Sequence, residues 1–458
     1  MRVIICGAGQ VGYSIAAYLA NEENDVTVVD QNPQLIAQIN DDMDVNAVVG
    51  HASNPDILSN AGAKDADMIV AVTQSDEVNM VACQIGHSLF GIPKKIARVR
   101  EQAYLDPAWS NLFSRSHMPI DVIISPEVII ANDIFQRLSV PGTTFVIPLA
   151  EGLAHMVGVI CGEDCPILNT PLSQLKNLFP DLAFEIVAIL RNNKSIIPDG
   201  TDQLEVGDEA YFIVNTKHLN RTMVAFGHEE TKARRIVIAG GGNIGKVLVE
   251  LIREKSKGVQ IKIIEANEAR ANHLSEQFED TIVLQGNCLD KDLLEEASID
   301  TVETFVAITN DDESNILGSL LAKQYGCKRV ITLVNNNAYS PLVAPMGIDA
   351  MISPRATIVA QIMQHVRRGR IKGLHNLRDG FAEVIEAEIS ENTNIANTSI
   401  ADLELPHEVI IGAVIREDDV IMPYPELVLR PGDDVIILAS QAQVQEVEKM
   451  FSVLVDLF

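Results

Sequence analysis

Two glycine-rich hexapeptides hold the residues best suited to chemistry in this chain: Gly7-Ala8-Gly9-Gln10-Val11-Gly12 and Gly240-Gly241-Gly242-Asn243-Ile244-Gly245. Each follows a short apolar run, at 3–6 and 236–239, and opens a stretch of helical periodicity. In a strand–turn–helix setting the three glycines have separate tasks. Gly7 or Gly240 turns the chain sharply off the strand. Gly9 or Gly242 lets a pyrophosphate approach the backbone with no Cβ in the way, and Gly12 or Gly245 lets the helix pack close to the sheet. The helix start then offers free N–H groups and a positive dipole end to the phosphates. One such hexapeptide is weak evidence. Two, with their flanking elements repeated in order, are strong.

The acids that close the next apolar runs decide which nucleotide these turns would suit. Asp30 and Glu265 stand where a carboxylate accepts hydrogen bonds from ribose hydroxyls and repels a 2′-phosphate. Gln31 and Ala266 come next, with no arginine to welcome that phosphate, so NAD(H) is favoured over NADP(H). ATP and ADP present the same ribose and stay open. Thr73 and Thr309, at the ends of the fourth expected strands, complete the repeated candidate set. Arg98 and Arg100 on the fifth strand have no counterpart, because the matching residues read as Thr332 and Val334. The two guanidiniums either face the crevice, favouring a more anionic ligand in the first copy, or form a surface ion pair.

Positioning these residues requires a particular order of elements. Period and punctuation predict strands over 3–6, 25–29, 46–49, 68–72, 95–99 and 122–124, with helices that include 11–20, 55–61 and 76–90. Strands alternating with helices imply right-handed crossovers and a parallel, doubly wound sheet. The second copy repeats the pattern. Gly286-Asn287-Cys288 answers Gly50-His51-Ala52, Val306-Ala307-Ile308-Thr309 answers Val70-Ala71-Val72-Thr73, and 349–354 answers 121–126. Helices over 128–137 and 358–367 are apolar on one face, for lobe-to-lobe contacts or for ordinary packing within a domain.

After each lobe, Val206-Gly207-Asp208-Glu209 and Arg430-Pro431-Gly432-Asp433-Asp434 precede short β-branched runs, which reads as small β-rich modules. The expected fold class is α/β: two Rossmann-like doubly wound parallel-sheet lobes, each followed by a small β-rich α+β module. The expected boundaries are 1–138, 139–228, 232–369 and 370–458. At 458 residues and 47% hydrophobic content, several soluble domains are expected.

Composition excludes several classes. The formal net charge of −28 argues against nucleic acid as a partner. No apolar run reaches the roughly 18 residues a spanning helix needs, and the N-terminus enters a strand without a signal-like segment, so a cytoplasmic location is expected. The basic run from His365 to Lys372 is either a solvated helix end and linker or a contact for an acidic partner. Cys161-Gly-Glu-Asp-Cys165 lacks the second Cys or His pair of a zinc site, so reduced structural thiols are expected. A hydride-transfer enzyme needs a substrate domain with a proton donor. The modules are small, and His155, His218, His375 and His407 do not recur at matching positions, so a nucleotide-sensing regulator is expected rather than an enzyme.

The plan of lobe and module, twice over, resembles the tandem RCK family (KTN plus TrkA-C domains), the regulatory subunits of bacterial Trk potassium-uptake systems. The likeness rests on the first hexapeptide, Asp67-Met-Ile-Val-Ala-Val-Thr73, Asn79-Met-Val-Ala-Cys83, Ile96-Ala-Arg-Val-Arg100, Ile411-Gly-Ala-Val414 and the overall length. It implies a cytoplasmic protein, peripheral on the inner face of the cell membrane, that binds NAD(H) and adenine nucleotides. It also implies a homotetramer whose eight lobes form a ring and gate a membrane K⁺-translocating subunit of the Trk type. A stand-alone nucleotide- or redox-sensing scaffold is the alternative. Many members carry Gly-Asp-Ala, its Asp near the adenine, where this chain has Gly50-His51-Ala52 and Gly286-Asn287-Cys288. In some related domains a glutamate in the region of Glu127 contributes to a divalent-cation site; Arg355 replaces it in the second copy, so a metal site is left open for the first lobe alone.

Overall fold

The computed structural model describes residues 1–21, 24–192, 194–343, 345–366, 371–377 and 381–451. The first hexapeptide follows β1 (Arg2–Cys6) in a parallel sheet with β2 (Asp25–Asp30), β3 (Asn46–Val49), β4 (Met68–Ala71), β5 (Lys94–Arg98) and β6 (Val122–Ile124). Their order is β3-β2-β1-β4-β5-β6. The connecting helices are α1 (Gln10–Asn21), α2 (Pro33–Asp42), α3 (Pro55–Asn60) and α4 (Asp76–Phe90), and α5 (Pro126–Ser139) follows β6. β1 and β4 are nearly all buried because helices cover both faces, which explains their unbroken apolar runs. Asn32, Asn54 and Ser75 cap α2, α3 and α4 through side-chain oxygens, and Gly91 ends α4 at φ 67°. Strand order reverses between β1 and β4, which opens a crevice at their C-terminal ends.

An antiparallel sheet of β7 (Thr143–Leu149), β8 (Ala154–Ile160), β9 (Phe184–Arg191), β10 (Lys194–Ile196) and β11 (Glu209–Asn215) comes next, with α6 (Leu172–Leu178) and α7 (Leu219–Ala225). The second parallel sheet holds β12 (Arg235–Ala239), β13 (Gln260–Glu265), β14 (Ile282–Gln285), β15 (Thr304–Ala307), β16 (Arg329–Leu333) and β17 (Ala350–Ile352). Its order, β14-β13-β12-β15-β16-β17, is that of the first. Its helices are α8 (Asn243–Lys255), α9 (Glu268–Gln277), α10 (Lys291–Glu296), α11 (Asp312–Gln324), α12 (Ser340–Val343) and α13 (Pro354–Val366). β18 (Ile371–Leu377), β19 (Ala382–Glu388), β20 (Val409–Arg416), β21 (Asp419–Ile421) and β22 (Asp434–Ser440) form the last sheet, followed by α14 (Val444–Met450). The expected fold class is what the chain adopts.

Two expectations change. β5 ends at Arg98, so Arg100 lies beyond the strand. Ala97 pairs with Ala71 and Thr332 with Ala307, and since Ala71 answers Ala307 the register shifts by one: Leu333 and Asn335, not Thr332 and Val334, match Arg98 and Arg100. Apolar runs on both faces carry no alternation from which to read a register. Arg367 through Arg370, in the basic run, lie outside the described residues.

The chain divides into two compact units, one of Met1–Ile130 with Pro354–Val366, the other of the remaining described chain. α13 follows the second parallel sheet in sequence, yet within the first unit it lies against α1 and β6. Within the second unit, Arg137 of α5 donates to the Met351 carbonyl of β17 at 2.9 Å, and Arg329 of β16 donates to the Arg137 and Thr143 carbonyls at 2.8 and 2.7 Å. Burial lowers the Arg329 guanidinium to about 10. Each repeat thus lends its crossover helix, α13 wholly and α5 in its C-terminal half, to the other's parallel sheet.

The Gly-Asp turns of the antiparallel sheets are explained by a repeated ion pair. Arg191 grips Asp208 with two hydrogen bonds of 2.8 and 2.7 Å, and Arg416 grips Asp433 with the same two distances. Both carboxylates are buried, and each also accepts a backbone N–H, from Glu205 or Arg430. The sheets face one another through Met156, Val187 and Ile213 on one side and Val384, Ala413 and Ile436 on the other. A Cβ on Gly412 would stand 2.1 Å from Ile213 Cδ1, so glycine sets their spacing. Removing one partner of such a pair strands the other. Asp433→Ala is expected to cost about 3 kcal/mol, read as a lowered urea midpoint of the second unit's transition.

Candidate functional site

Each glycine turn is held by contacts that leave no room for a side chain. Gly7 and Gly240 both sit at φ 112°, a left-handed conformation that favours glycine. Their N–H groups continue the sheet by donating to Val29 and Ile264 carbonyls at 2.8 and 2.9 Å. A Cβ on Gly12 would lie 1.8 Å from the Gly7 carbonyl oxygen, and one on Gly245 2.3 Å from that of Gly240. The third glycine therefore lets the start of the helix close on the carbonyl of the first glycine, at the end of the strand. Gly9 and Gly242 differ: a Cβ on either would meet nothing within 4 Å. Gln10, exposed, and Val11, half-buried, open α1, as Asn243 and Ile244 open α8.

The two acids do more than await a ribose. Asp30 accepts the Ala8 N–H at 2.7 Å on one oxygen and the Asn32 N–H at 2.8 Å on the other. Glu265 accepts the Gly241 and Asn267 N–H groups at 2.8 Å. Each carboxylate thereby ties the glycine turn to the helix that follows the second strand, with further lone pairs left to accept hydroxyl donors. A Cβ on Gly241 would meet Leu274 Cδ1 at 2.3 Å, which is why Ala8 has no alanine counterpart there. Arg270, near the start of α9, reaches both Glu265 oxygens at 3.4 Å. It escaped the sequence reading because that reading tested only the neighbour of the acid. Leu35 answers it in the first copy.

Thr73 and Thr309 prove to be parts of a clamp. Asn79 Oδ1 accepts both the backbone N–H and the hydroxyl of Thr73, at 2.9 and 2.7 Å, while Asn79 Nδ2 donates to the Arg98 carbonyl at 2.9 Å. Asn315 repeats this with Thr309 and Leu333. Beside it, buried Asp76 accepts the N–H groups of Arg100 and Glu101, and Asp312 those of Asn335 and Asn336. These four residues fix the ends of the fourth and fifth strands around the crevice. They recur at the same spacing after both fourth strands, at 76 and 79 and at 312 and 315, but a clamp looks like any polar helix start.

Arg98 and Arg100 part company. Arg100 Nε donates to Glu127 at 3.2 Å and its side chain is exposed, which is the ion-pair reading. Arg98 is half-buried; burial, reinforced by Arg100, lowers its guanidinium from the ordinary value against the pull of Glu127 and Asp76. Arg98 Nε, Asp76 Oδ1 and Glu127 Oε2 are buried without a hydrogen-bond partner. The described residues of the second lobe show no such cluster, since Asn335 Nδ2 adds a further donor to Asp312.

Among the described residues no group of three or more His, Cys, Asp or Glu is arranged to hold a metal ion, and Glu127 is already engaged by Arg100. All six cysteines are buried free thiols, and the hydrogen bond between Cys161 and Cys165 raises the former and lowers the latter. No helix among the described residues is long and apolar enough to cross a membrane.

The TrkA-N domain matches residues 3–126 and 236–354, and the TrkA-C domain residues 156–227 and 384–452. The Trk system potassium uptake protein TrkA of Azorhizobium caulinodans is 46% identical over 458 residues, covering 100% of both chains. The GsuK RCK domain has a TM-score of 0.60 at 18% identity, over 98% of this chain and 94% of that one. The GsuK channel bound to NAD also scores 0.60 at 18% identity, over 98% and 78%. At that identity the likeness is one of fold.

The glycine contacts make a contrast that calorimetry can read. Gly12→Ala is expected to lower the melting transition of the first unit by about 2 kcal/mol or more, the cost of overpacking. Gly9→Ala, pointing into open space, should change stability by less than about 0.5 kcal/mol.

Proposed function

Given that the chain belongs to the family of Trk system potassium uptake proteins TrkA, we propose that it is a non-enzymatic regulatory subunit that senses nucleotides and gates a membrane K⁺-translocating subunit. NAD(H) and adenine nucleotides bind at the two glycine turns, with phosphates over the open faces of Gly9 and Gly242 and the adenosine ribose on Asp30 and Glu265. The carrying observation is the same in both copies: first and third glycines are spent on each other, and the second is left uncovered. GsuK, a channel of the same fold, is bound to NAD. The subunit is cytoplasmic, lies on the inner face of the membrane, and assembles as a homotetramer.

Doubling of the lobe suits gating by modest binding energies. Moving a two-state equilibrium from 1:99 to 99:1 takes about 10⁴ in differential affinity, which eight lobes share at about threefold each. The lobes are not equal. With Arg100 engaged by Glu127, Arg98 is the guanidinium of the first lobe that Leu333 does not supply in the second. The first lobe therefore prefers the more anionic ligands.

Titration of ATP, ADP and NADH on the complex reconstituted in vesicles, with K⁺ flux as the readout, tests gating. Flux that responds to at least one nucleotide supports it; flux indifferent to all three would sink it. Lobe preference is read separately. In the full chain, Gly242→Asp leaves the first lobe to bind and Gly9→Asp the second. The ratio of ATP to NADH affinity is expected to be several-fold higher in the Gly242→Asp protein, and equal ratios would refute the preference.

A further inference from the structure

The first lobe's nucleotide helix has a neighbour that its own repeat does not supply. Pro354-Arg355 opens α13, the helix of the second repeat that packs in the first unit against α1. Arg355 Nε donates to the Ser14 hydroxyl, and that hydroxyl donates to the Gln10 carbonyl one turn earlier. One helical turn rises about 5.4 Å, so a cation stands a single turn from the N–H groups at Gly9, Gln10 and Val11. Among the described residues no carboxylate pairs with Arg355. The Asp42 hydrogen bond raises the neighbouring Tyr13 phenol, and the charge of Arg355 opposes that rise, so its field reaches the exposed face of α1.

The arrangement is particular to this lobe. In the first repeat the residue after the matching proline is Glu127, an acid already held by Arg100. The residue of α8 that matches Ser14 is Val247, which is buried and has no hydroxyl to receive a guanidinium. The nucleotide helix of the first lobe is thus furnished with an arginine from the other repeat, and among the described residues the Nη groups of that arginine meet no protein acceptor.

We propose that Arg355, carried by the second repeat, is a ligand-binding residue of the first lobe, its guanidinium closing on the phosphate chain of the nucleotide held at Gly9–Val11. The inference rests on the nucleotide reading above and adds to it a route between repeats. Occupancy of the first lobe is felt by α13, and a longer phosphate chain engages the arginine more fully than a dinucleotide pyrophosphate does. A charge-assisted hydrogen bond to phosphate gives such a contact its strength.

The test uses the full chain with Gly242→Asp, so that the first lobe alone binds, and titrates ATP and NADH by calorimetry at two salt concentrations. Arg355→Ala is expected to weaken ATP about tenfold and NADH less, and to flatten the salt dependence. Arg355→Lys should restore most of the affinity. Ser14→Ala removes the hydrogen bond but not the charge, and should change either affinity by less than about twofold. Unchanged ATP affinity in Arg355→Ala overturns the proposal, as does a Ser14→Ala protein that loses as much as Arg355→Ala, which would make the arginine a structural clip. Should Arg355→Ala melt early, Arg355→Gln supplies the same comparison with the charge removed and a polar side chain kept. If the Gly242→Asp parent binds no nucleotide while the unmodified chain does, the first lobe is not a site, and this proposal falls with the first lobe's share of the nucleotide reading while the second lobe's share stands. If the unmodified chain binds none, the nucleotide reading falls with it.

Discussion

The contact between Gly12 and the carbonyl of Gly7 brings two stretches of main chain closer than any side chain permits, and its twin at Gly245 and Gly240 is almost as tight. Because that approach is backbone against backbone, the turn has no adjustable part. Its geometry passes directly to the start of α1, to the exposed edge at Gly9, and to the Ala8 N–H that Asp30 receives. The acid at the end of β2 and the glycines at the end of β1 are thus one rigid object. An alanine at either tight position would separate strand from helix, and everything aimed at the crevice would lose its reference.

Around that object the fold adds a second layer of fixed polar groups. Asn79 and Asp76 saturate the backbone of the β4–α4 turn and the residues after β5, and Asn315 and Asp312 do the same in the second repeat. Satisfying these N–H groups internally keeps the crevice walls from rearranging when water leaves. The first repeat departs from the rule at Arg98, Asp76 and Glu127, where opposite charges are buried together with some of their polar atoms unpaired. The repeats therefore share a frame and differ in the charge mounted on it.

Most of the frame was legible in the residues. Glycine spacing, acids closing the second strands, and apolar runs between capped helices specify a doubly wound lobe, and their repetition specifies two. Three things were not legible, each for a physical reason. The register of β5 slipped by one because a strand buried on both faces shows no alternation. The role of Arg270 depends on one turn of α9 bringing it back over Glu265, which adjacency in sequence does not reveal. The destination of α13 was open because an amphipathic stripe records that a face is buried and not what buries it. The Gly-Asp turns, by contrast, were visible as motifs, and their reason, a buried carboxylate gripped by an arginine, needed the sheet to bring Arg191 and Arg416 alongside.

Exchange of α5 and α13 between the repeats bears on why both repeats are carried on one chain. Had each repeat been a separate polypeptide, an exchange of helices would form only by encounter, and dilution would undo it. Joined in one chain, the same exchange becomes intramolecular, at an effective concentration set by the linker and not by the cell. At any concentration the chain therefore keeps its two unlike lobes in fixed one-to-one proportion. The duplication is a means of holding stoichiometry as much as of adding sites.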